Sequence, residues 1–275
     1  MPCCRAPTRR PEPAATHGPP LVNLKIHWWT DVHRSAQTDL WLGCALAGIA
    51  GATNAGGFLA VGQYTSHMTG ILSAIADDLI LGKIQLALAG LAFVLAFVSG
   101  SMTTAWMVNW SLRRQLRSAF ARPLVVEAGL LLIFGLFGAA INLFAALFVP
   151  LTVLVLCFIM GLQNAVITKV SNAVIRTTHV TGLLTDLGIE LGKLFYYNYA
   201  PAPRKVVANR HKLRIHGLLV TSFFVGALAG AYGFKTYGYI STVPLALLLI
   251  VLVWGPITDD LRHGRIAPAP HDAPL

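Results

Sequence analysis

Long, unbroken apolar runs separated by short polar stretches set the pattern of this chain. The runs cover residues 40–61, 85–108, 124–148, 150–168, 214–234 and 238–257. Each is close to the 17–25 residues that a helix needs to cross a hydrocarbon core about 30 Å thick. Within each run the apolar residues are continuous, where a barrel strand would alternate, and each is about twice as long as a tilted strand requires. The pattern predicts an all-α membrane protein with six transmembrane helices.

Composition supports this. Hydrophobic residues make up 55% of the 275, charged residues 12%, and mean hydropathy is +0.64. A soluble domain carries about 25% charged residues, so a compact soluble enzyme is excluded. The net charge of +10 does not point to nucleic acid, because the basic residues lie between apolar runs and form no basic face. With the N-terminus placed in the cytoplasm, sixteen Lys and Arg fall on the inner side, against Lys83 and Lys235 outside. The inner set includes Arg113, Arg114, Arg117 and Arg122 after the second run, and Arg204 to Arg214 before the fifth. This bias predicts six spans with both termini cytoplasmic. The uncharged stretch Leu147 to Pro150 is then an outer turn.

Residues 1–20 lack an apolar core for a cleavable signal, so the first span is expected to direct insertion. Their Pro-rich composition, and that of 264–275, predicts disorder. Cys3 and Cys4 lie in the tail and Cys44 and Cys157 in apolar runs, with no C-x-x-C pair.

A polar pattern occurs twice. Residues 51–83 begin G-A-T-N-A, pass through T-S-H-M-T-G-I-L at 65–72 and end L-G-K. Residues 161–193 begin G-L-Q-N-A, pass through T-T-H-V-T-G-L-L at 177–184 and also end L-G-K. The copies follow spans one and four, so the expected organisation is a basic tail 1–37, a three-helix repeat 38–148, a second repeat 149–258 and a short tail 259–275. An odd number of spans per repeat inverts the second copy, a plan common among secondary transporters, where paired polar interruptions mark the site. The competing reading makes both stretches loops left by an old duplication. Flanking apolar residues such as Phe58, Leu59, Ile71 and Leu72 favour membrane depth instead.

The pattern N-A-G-G-F…Y-T-S-H-M-T-G-I-L, with its second copy Q-N-A…T-T-H-V-T-G-L-L-T-D-L-G, resembles the YoaK-like family of bacterial inner-membrane proteins, whose domain is of unknown function. The likeness spans about residues 38–258. It implies a multi-span bacterial membrane protein and no substrate or mechanism.

The candidate solute-binding residues are Asn54, Thr65, Ser66, His67 and Thr69 with Asn164, Thr177, Thr178, His179 and Thr181. A short helix is expected from near Ser66 and Thr178, with Thr65, Ser66, Thr177 or Thr178 capping it. Its N-terminal dipole end suits an anion. Asn54 and Asn164 are also expected to join helices by hydrogen bonds. Asp186 and Glu190 share a helix face with His179 and are the candidates for ion coupling. Alternatively Asp78 pairs with Lys83, and Glu190 with Lys193, at the interface. Cross-repeat pairs His67 with Glu190 and His179 with Asp78 also remain open. His and carboxylate of one copy cannot share a metal, since eleven helical residues span about 16 Å. Glu127 either pairs with Arg122 or carries a proton. Lys169 and Arg176 either attract an anionic solute or neutralise the carboxylates. The Gly43, Ala47, Gly51, Ala55 stripe and the Gly226, Gly230 pair predict close helix packing. Trp28, Trp29, Trp41, Tyr196, Tyr197 and Tyr199 predict an aromatic belt.

The first functional reading is a transporter or permease for a small polar or anionic solute, without a cofactor or metal and without enzymatic activity. Its partners are the lipid bilayer and the solute, with self-association open. The alternatives are a membrane enzyme acting on a lipid, for which neither D-D-x-x-D nor H-E-x-x-H is present, and a scaffold or sensor subunit.

Overall fold

A computed structural model describes residues 29–31, 36–137, 145–171, 178–197 and 205–263. Residues 1–28 and 264–275, with Arg176, Thr177 and Tyr199, lie outside the described residues, and the expected tail from 259 begins inside α8, which runs to His263. The described chain is helical, with no strand: α1 (Ala36–Val61), α2 (Met68–Ile80), α3 (Ile84–Arg113), α4 (Ala121–Phe137), α5 (Ala145–Val170), α6 (Val180–Phe195), α7 (Arg210–Tyr237), a 3₁₀ turn (Gly238–Ser241) and α8 (Thr242–His263). The runs at 40–61, 85–108, 150–168, 214–234 and 238–257 fall on α1, α3, α5, α7 and α8 with its preceding 3₁₀ turn. The run at 124–148 is instead divided between α4, which ends at Phe137, and the first residues of α5; the two polar segments become the short helices α2 and α6.

Four continuous stretches are long and apolar enough to cross a membrane among the described residues: 37–61, 84–113, 149–170 and 210–262. The last of these contains both α7 and α8, which meet at Gly238, where φ of +64° interrupts the helix. The protein is a helical membrane protein. One turn is corrected. Leu147 to Pro150 is not a turn but the start of α5, with Pro150 inside the helix. Apolar residues on both sides carry the helix through, and membrane helices tolerate proline where neighbouring groups take up the freed carbonyl.

Helix pairing follows the small residues. Gly226 lies against Gly48, Gly230 against Ala52 and Phe234 against Gly56, so α1 and α7 run parallel. Gly161 lies against Phe97, Gly100 against Phe158, and Thr104 Oγ1 donates to the Leu162 carbonyl at 3.0 Å, so α3 and α5 run parallel too. Of the predicted stripe in the first span, Gly51 sits at this crossing against the Phe223 carbonyl, joined by Gly48 and Ala52 rather than by a strict four-residue row. Lipid is as apolar as leucine, so close backbone approach and interhelical hydrogen bonds hold such pairs together. Gln163 Nε2 donates to the Leu46 carbonyl at 3.1 Å and ties α1 to α5.

α4 and α8 pair antiparallel: Thr242 Oγ1 donates to the Leu131 carbonyl at 2.9 Å, and Ser118 N at the other end donates to Asp260 Oδ2 at 3.0 Å. That end carries a charged cluster. Arg117 meets Asp31 at 3.5 Å and Asp259 at 3.2 Å, and its backbone N–H donates to Asp260. The beginnings of α1 and α4 and the end of α8 thus gather at one end of the bundle. Trp29 stacks on Trp41 nearby, with centroids 6.5 Å apart. α1 and α5 are central, with 61% of their most apolar stretch buried, whereas α3 has 17% and turns Leu88, Leu91, Leu95 and Met102 outward.

The expected Glu127 to Arg122 pair does not form. Five residues along a helix is a rotation of about 140°, whereas pairs form at three or four. Arg122 instead donates from Nε to Ser118 Oγ at 3.0 Å and stacks over Trp110.

Candidate functional site

Each polar segment is clasped by the asparagine of the helix before it. After Val61 the chain turns at Gly62, whose φ of +73° suits a residue without a side chain. It then passes the stacked Phe58–Tyr64 pair and reaches Ser66, whose N–H donates to Asn54 Oδ1 at 3.1 Å. In the second copy Thr178 Oγ1 donates to Asn164 Oδ1 at 2.7 Å, and Asn164 Nδ2 donates to the Met160 carbonyl at 2.8 Å. The asparagines therefore secure the break in the chain rather than joining separate long helices.

The short helices begin one residue later than capping by Ser66 or Thr178 requires. Their N-caps are His67 and His179, and neither side chain makes a capping hydrogen bond. This corrects the expected capping by Ser66 and Thr178, whose groups face the asparagines instead; Thr65 is fully buried and its Oγ1 has no partner. The first-turn N–H groups of both helices are left without side-chain acceptors. Both histidine rings lie over a glycine of their own first turn. A Cβ on Gly70 would strike the His67 ring, and one on Gly182 would approach His179 Cδ2 to 3.1 Å.

The two segments open on one cavity of about 660 Å³. Ser66, His67 and Thr69 line it from the first copy, and Asn164, Thr178, His179 and Thr181 from the second. Phe97 and Ser101, near the middle of α3, and Thr168 and Lys169 of α5 complete the wall. Asn54 and Thr65 stand behind this wall. Lys169 Nζ donates to Asn109 Oδ1 at 2.9 Å, which holds the ammonium at the cavity margin. Among the described residues no group of three His, Cys, Asp or Glu side chains is gathered as a metal site.

The carboxylates stand elsewhere. Both short helices turn their first residues to the cavity, so Asp78 and Glu190, eleven residues past each histidine, are carried about 16 Å away. Asp186 is exposed and lines no part of the cavity. Glu190 is buried, and both oxygens are occupied: Lys193 Nζ donates to Oε1 at 2.8 Å and Asn209 N–H to Oε2 at 2.7 Å. Asn209 caps α7 by accepting from His211 and Lys212 N–H. Glu190 thus anchors the start of α7 to α6, and its pairing with Lys193 follows the three-residue spacing. Asp78 and Lys83, five apart with Gly82 between them, share only a backbone bond.

The hydrogen bond from Lys193, followed by that from Asn209, holds the Glu190 carboxyl below its usual range. A lowered folded-state value stabilises the protein above the unfolded value, about 4.3, and that contribution disappears as pH falls through the folded value. Thermal unfolding of Glu190→Gln in detergent is expected to show a deficit that is constant near neutrality and shrinks below about pH 4. A deficit that grows on acidification would contradict this linkage.

Phe97 and Ser101, with Met68, Ala165 and Thr168, line the cavity without being among the sequence candidates. For the first two the signal was present as F-V-S-G-S-M-T-T at 97–104, a polar interruption inside the second run.

A family model described as "Protein of unknown function (DUF1275)" matches residues 42–255, a range that holds both asparagine clasps and the whole cavity wall. The chain belongs to this family. A relative, the "UPF0700 transmembrane protein YoaK" of Bacillus subtilis (strain 168), is 29% identical over 224 residues, covering 79% of this chain and 92% of its own length. That relative's description as a transmembrane protein agrees with the membrane character of the helices. No solved structure matches the chain.

Proposed function

We propose that this DUF1275 protein is a transporter or permease for a small anion, built as two inverted three-helix units with the solute site between them. The observation that carries the reading is the shared cavity: segments 112 residues apart in sequence, at His67 and His179, line one space beside the middle of α3. In transporters of inverted plan, broken helices point their N-terminal dipole ends at anionic groups near the bilayer midplane. Here two uncapped N-termini, hydroxyls of Ser66, Thr69, Thr178 and Thr181, and the Lys169 ammonium converge, while no carboxylate lines the space.

The repeat is supported by more than the motif. Gly51 on the Phe223 carbonyl and Gly161 on the Phe97 carbonyl are the same contact, as are Gly226 on Gly48 and Gly100 on Phe158. In this reading α1, α3, α4, α5, α7 and α8 cross the bilayer. On this reading the protein sits in a bacterial inner membrane with both termini in the cytoplasm and the Arg117 cluster on that side, an orientation that the sorting of the basic residues supports. Ser66, His67, Thr69, Asn164, Thr178, His179 and Thr181 contact the solute, and Asn54 and Thr65 support them. Asp186 and Glu190 have no place in this site.

The test is uptake of labelled nitrate, phosphate and lactate into proteoliposomes, with protein-free vesicles subtracted. His67→Ala and His179→Ala are each expected to reduce uptake at least tenfold. Uptake that neither substitution changes, or that is absent for every anion in the wild type, would sink the assignment.

A further inference from the structure

α4 contains a carboxyl group that the cavity does not use. Glu127 is completely buried, and among the described residues neither of its oxygens has a hydrogen-bond partner. Its neighbours along the helix face, Leu124, Ala128 and Leu131, belong to the apolar core. α4 packs against α3, α5, α8 and the 3₁₀ turn. The ionisable groups on these elements are committed elsewhere or lie at the ends. Lys169 of α5 bonds Asn109, Asp259 and Asp260 of α8 bond Arg117 and Ser118, and Arg122 of α4 itself stacks over Trp110. Cys157 of α5 lies in the core, Tyr239 of the 3₁₀ turn packs edge-on against Phe134, and Arg113 and Arg262 close the ends of α3 and α8. None makes an ion pair or hydrogen bond with Glu127.

An ionised carboxylate in such a setting has neither water, donor nor counter-charge, and burial without these is prohibitive. The uncharged, protonated carboxyl is the form that such surroundings tolerate. Carboxyls at membrane depth that bind and release protons are the working parts of proton relays. The position also suits coupling, because α4 packs on the same two helices, α3 and α5, that supply Phe97, Ser101, Asn164 and Lys169 to the cavity. Moving α4 away from them would wet Glu127 and reshape the cavity wall in one step.

We propose that Glu127 is the proton-binding group of the transport cycle, so that a small monovalent anion crosses together with one proton. This rests on the transporter reading above. The carboxyl O–H breaks when α4 is hydrated, the proton passes to water, the electron pair stays on the carboxylate, and reprotonation on the other side resets the group. A proton moving with the anion cancels the opposition that a negative-inside membrane potential sets against anion entry.

Two measurements on the full chain in liposomes test this. Difference infrared spectra of wild type and Glu127→Gln near neutral pH are expected to show a protonated-carboxyl carbonyl band, shifted in D₂O, in wild type alone. Absence of that band from wild type overturns the proposal without reference to any solute, and the wild-type spectrum needs no variant to fold. In vesicles loaded with a pH-sensitive dye, inward nitrate or lactate movement is expected to acidify the lumen of wild-type vesicles. In Glu127→Gln, acidification should fall at least tenfold while anion counterflow persists. Anion uptake with equal acidification in both proteins overturns the proton assignment and leaves the transporter reading standing. No anion movement in wild type overturns the transporter reading, and coupling with it.

Discussion

Gly51→Val and Gly161→Val are each expected to destabilise the folded protein by about 1–3 kcal/mol or more, the range typical of overpacking a dense interior. The cause is backbone against backbone. A Cβ on Gly51 would collide with the Phe223 carbonyl and one on Gly161 with the Phe97 carbonyl. A flexible side chain could swing away, but a carbonyl in the middle of α7 or α3 moves only with its helix. Interhelical hydrogen bonds would be lost as the helices part, among them Ser101 Oγ to the Gly161 carbonyl at 3.0 Å and Thr104 Oγ1 to the Leu162 carbonyl at 3.0 Å. Gly129 is the control, since a Cβ there meets nothing within 4 Å. Gly129→Ala should therefore be neutral or gain a few tenths of a kcal/mol from helix propensity, roughly up to the ~1 kcal/mol difference between the two residues. Thermal unfolding in one detergent reads all three. If Gly161→Val unfolds with the wild type, or Gly129→Ala behaves like Gly51→Val, the close crossings are not what holds the bundle together.

Lys169→Gln is expected to weaken anion binding at the cavity by at least tenfold, which corresponds to about 1.4 kcal/mol. Its ammonium is the formal positive charge on the cavity wall among the described residues, set beside the helix N-termini at His67 and His179. Lys169 also ties α5 to α3 through Asn109, so loss of binding alone would not separate charge from scaffolding. Asn109→Ala separates them: it removes the tie and keeps the charge. Thermal stabilisation by nitrate, phosphate or lactate should survive in Asn109→Ala and fail in Lys169→Gln. Equal loss in both would make Lys169 a helix tie. Retention in both would remove it from the site.

Residue by residue, the sequence was most informative where the physics is local. Helix positions follow from the length of apolar runs, because a bilayer demands backbone bonds satisfied within the segment. The Lys193 partner of Glu190 follows from a three-residue spacing on one helix. The same rule, applied strictly, already speaks against Glu127 with Arg122, five apart. The paired polar motifs were legible because the same residue order stands at both places along the chain. Capping was not legible, since choosing between a hydroxyl and a histidine at the N-cap depends on where Asn54 and Asn164 reach across the break.

By itself, then, the sequence determined that this is a helical membrane protein, where its helices run and which two segments are alike. Hydropathy, charge sorting and repetition are properties of the chain read in order. Only the tertiary structure decided that both segments open on one cavity, that Ser101 and Lys169 share its wall, that Glu190 is a structural anchor and that Glu127 has no partner among the described residues. Those facts depend on which helix faces meet. Lipid-exposed and protein-buried faces are both apolar, so no pattern along the chain tells them apart.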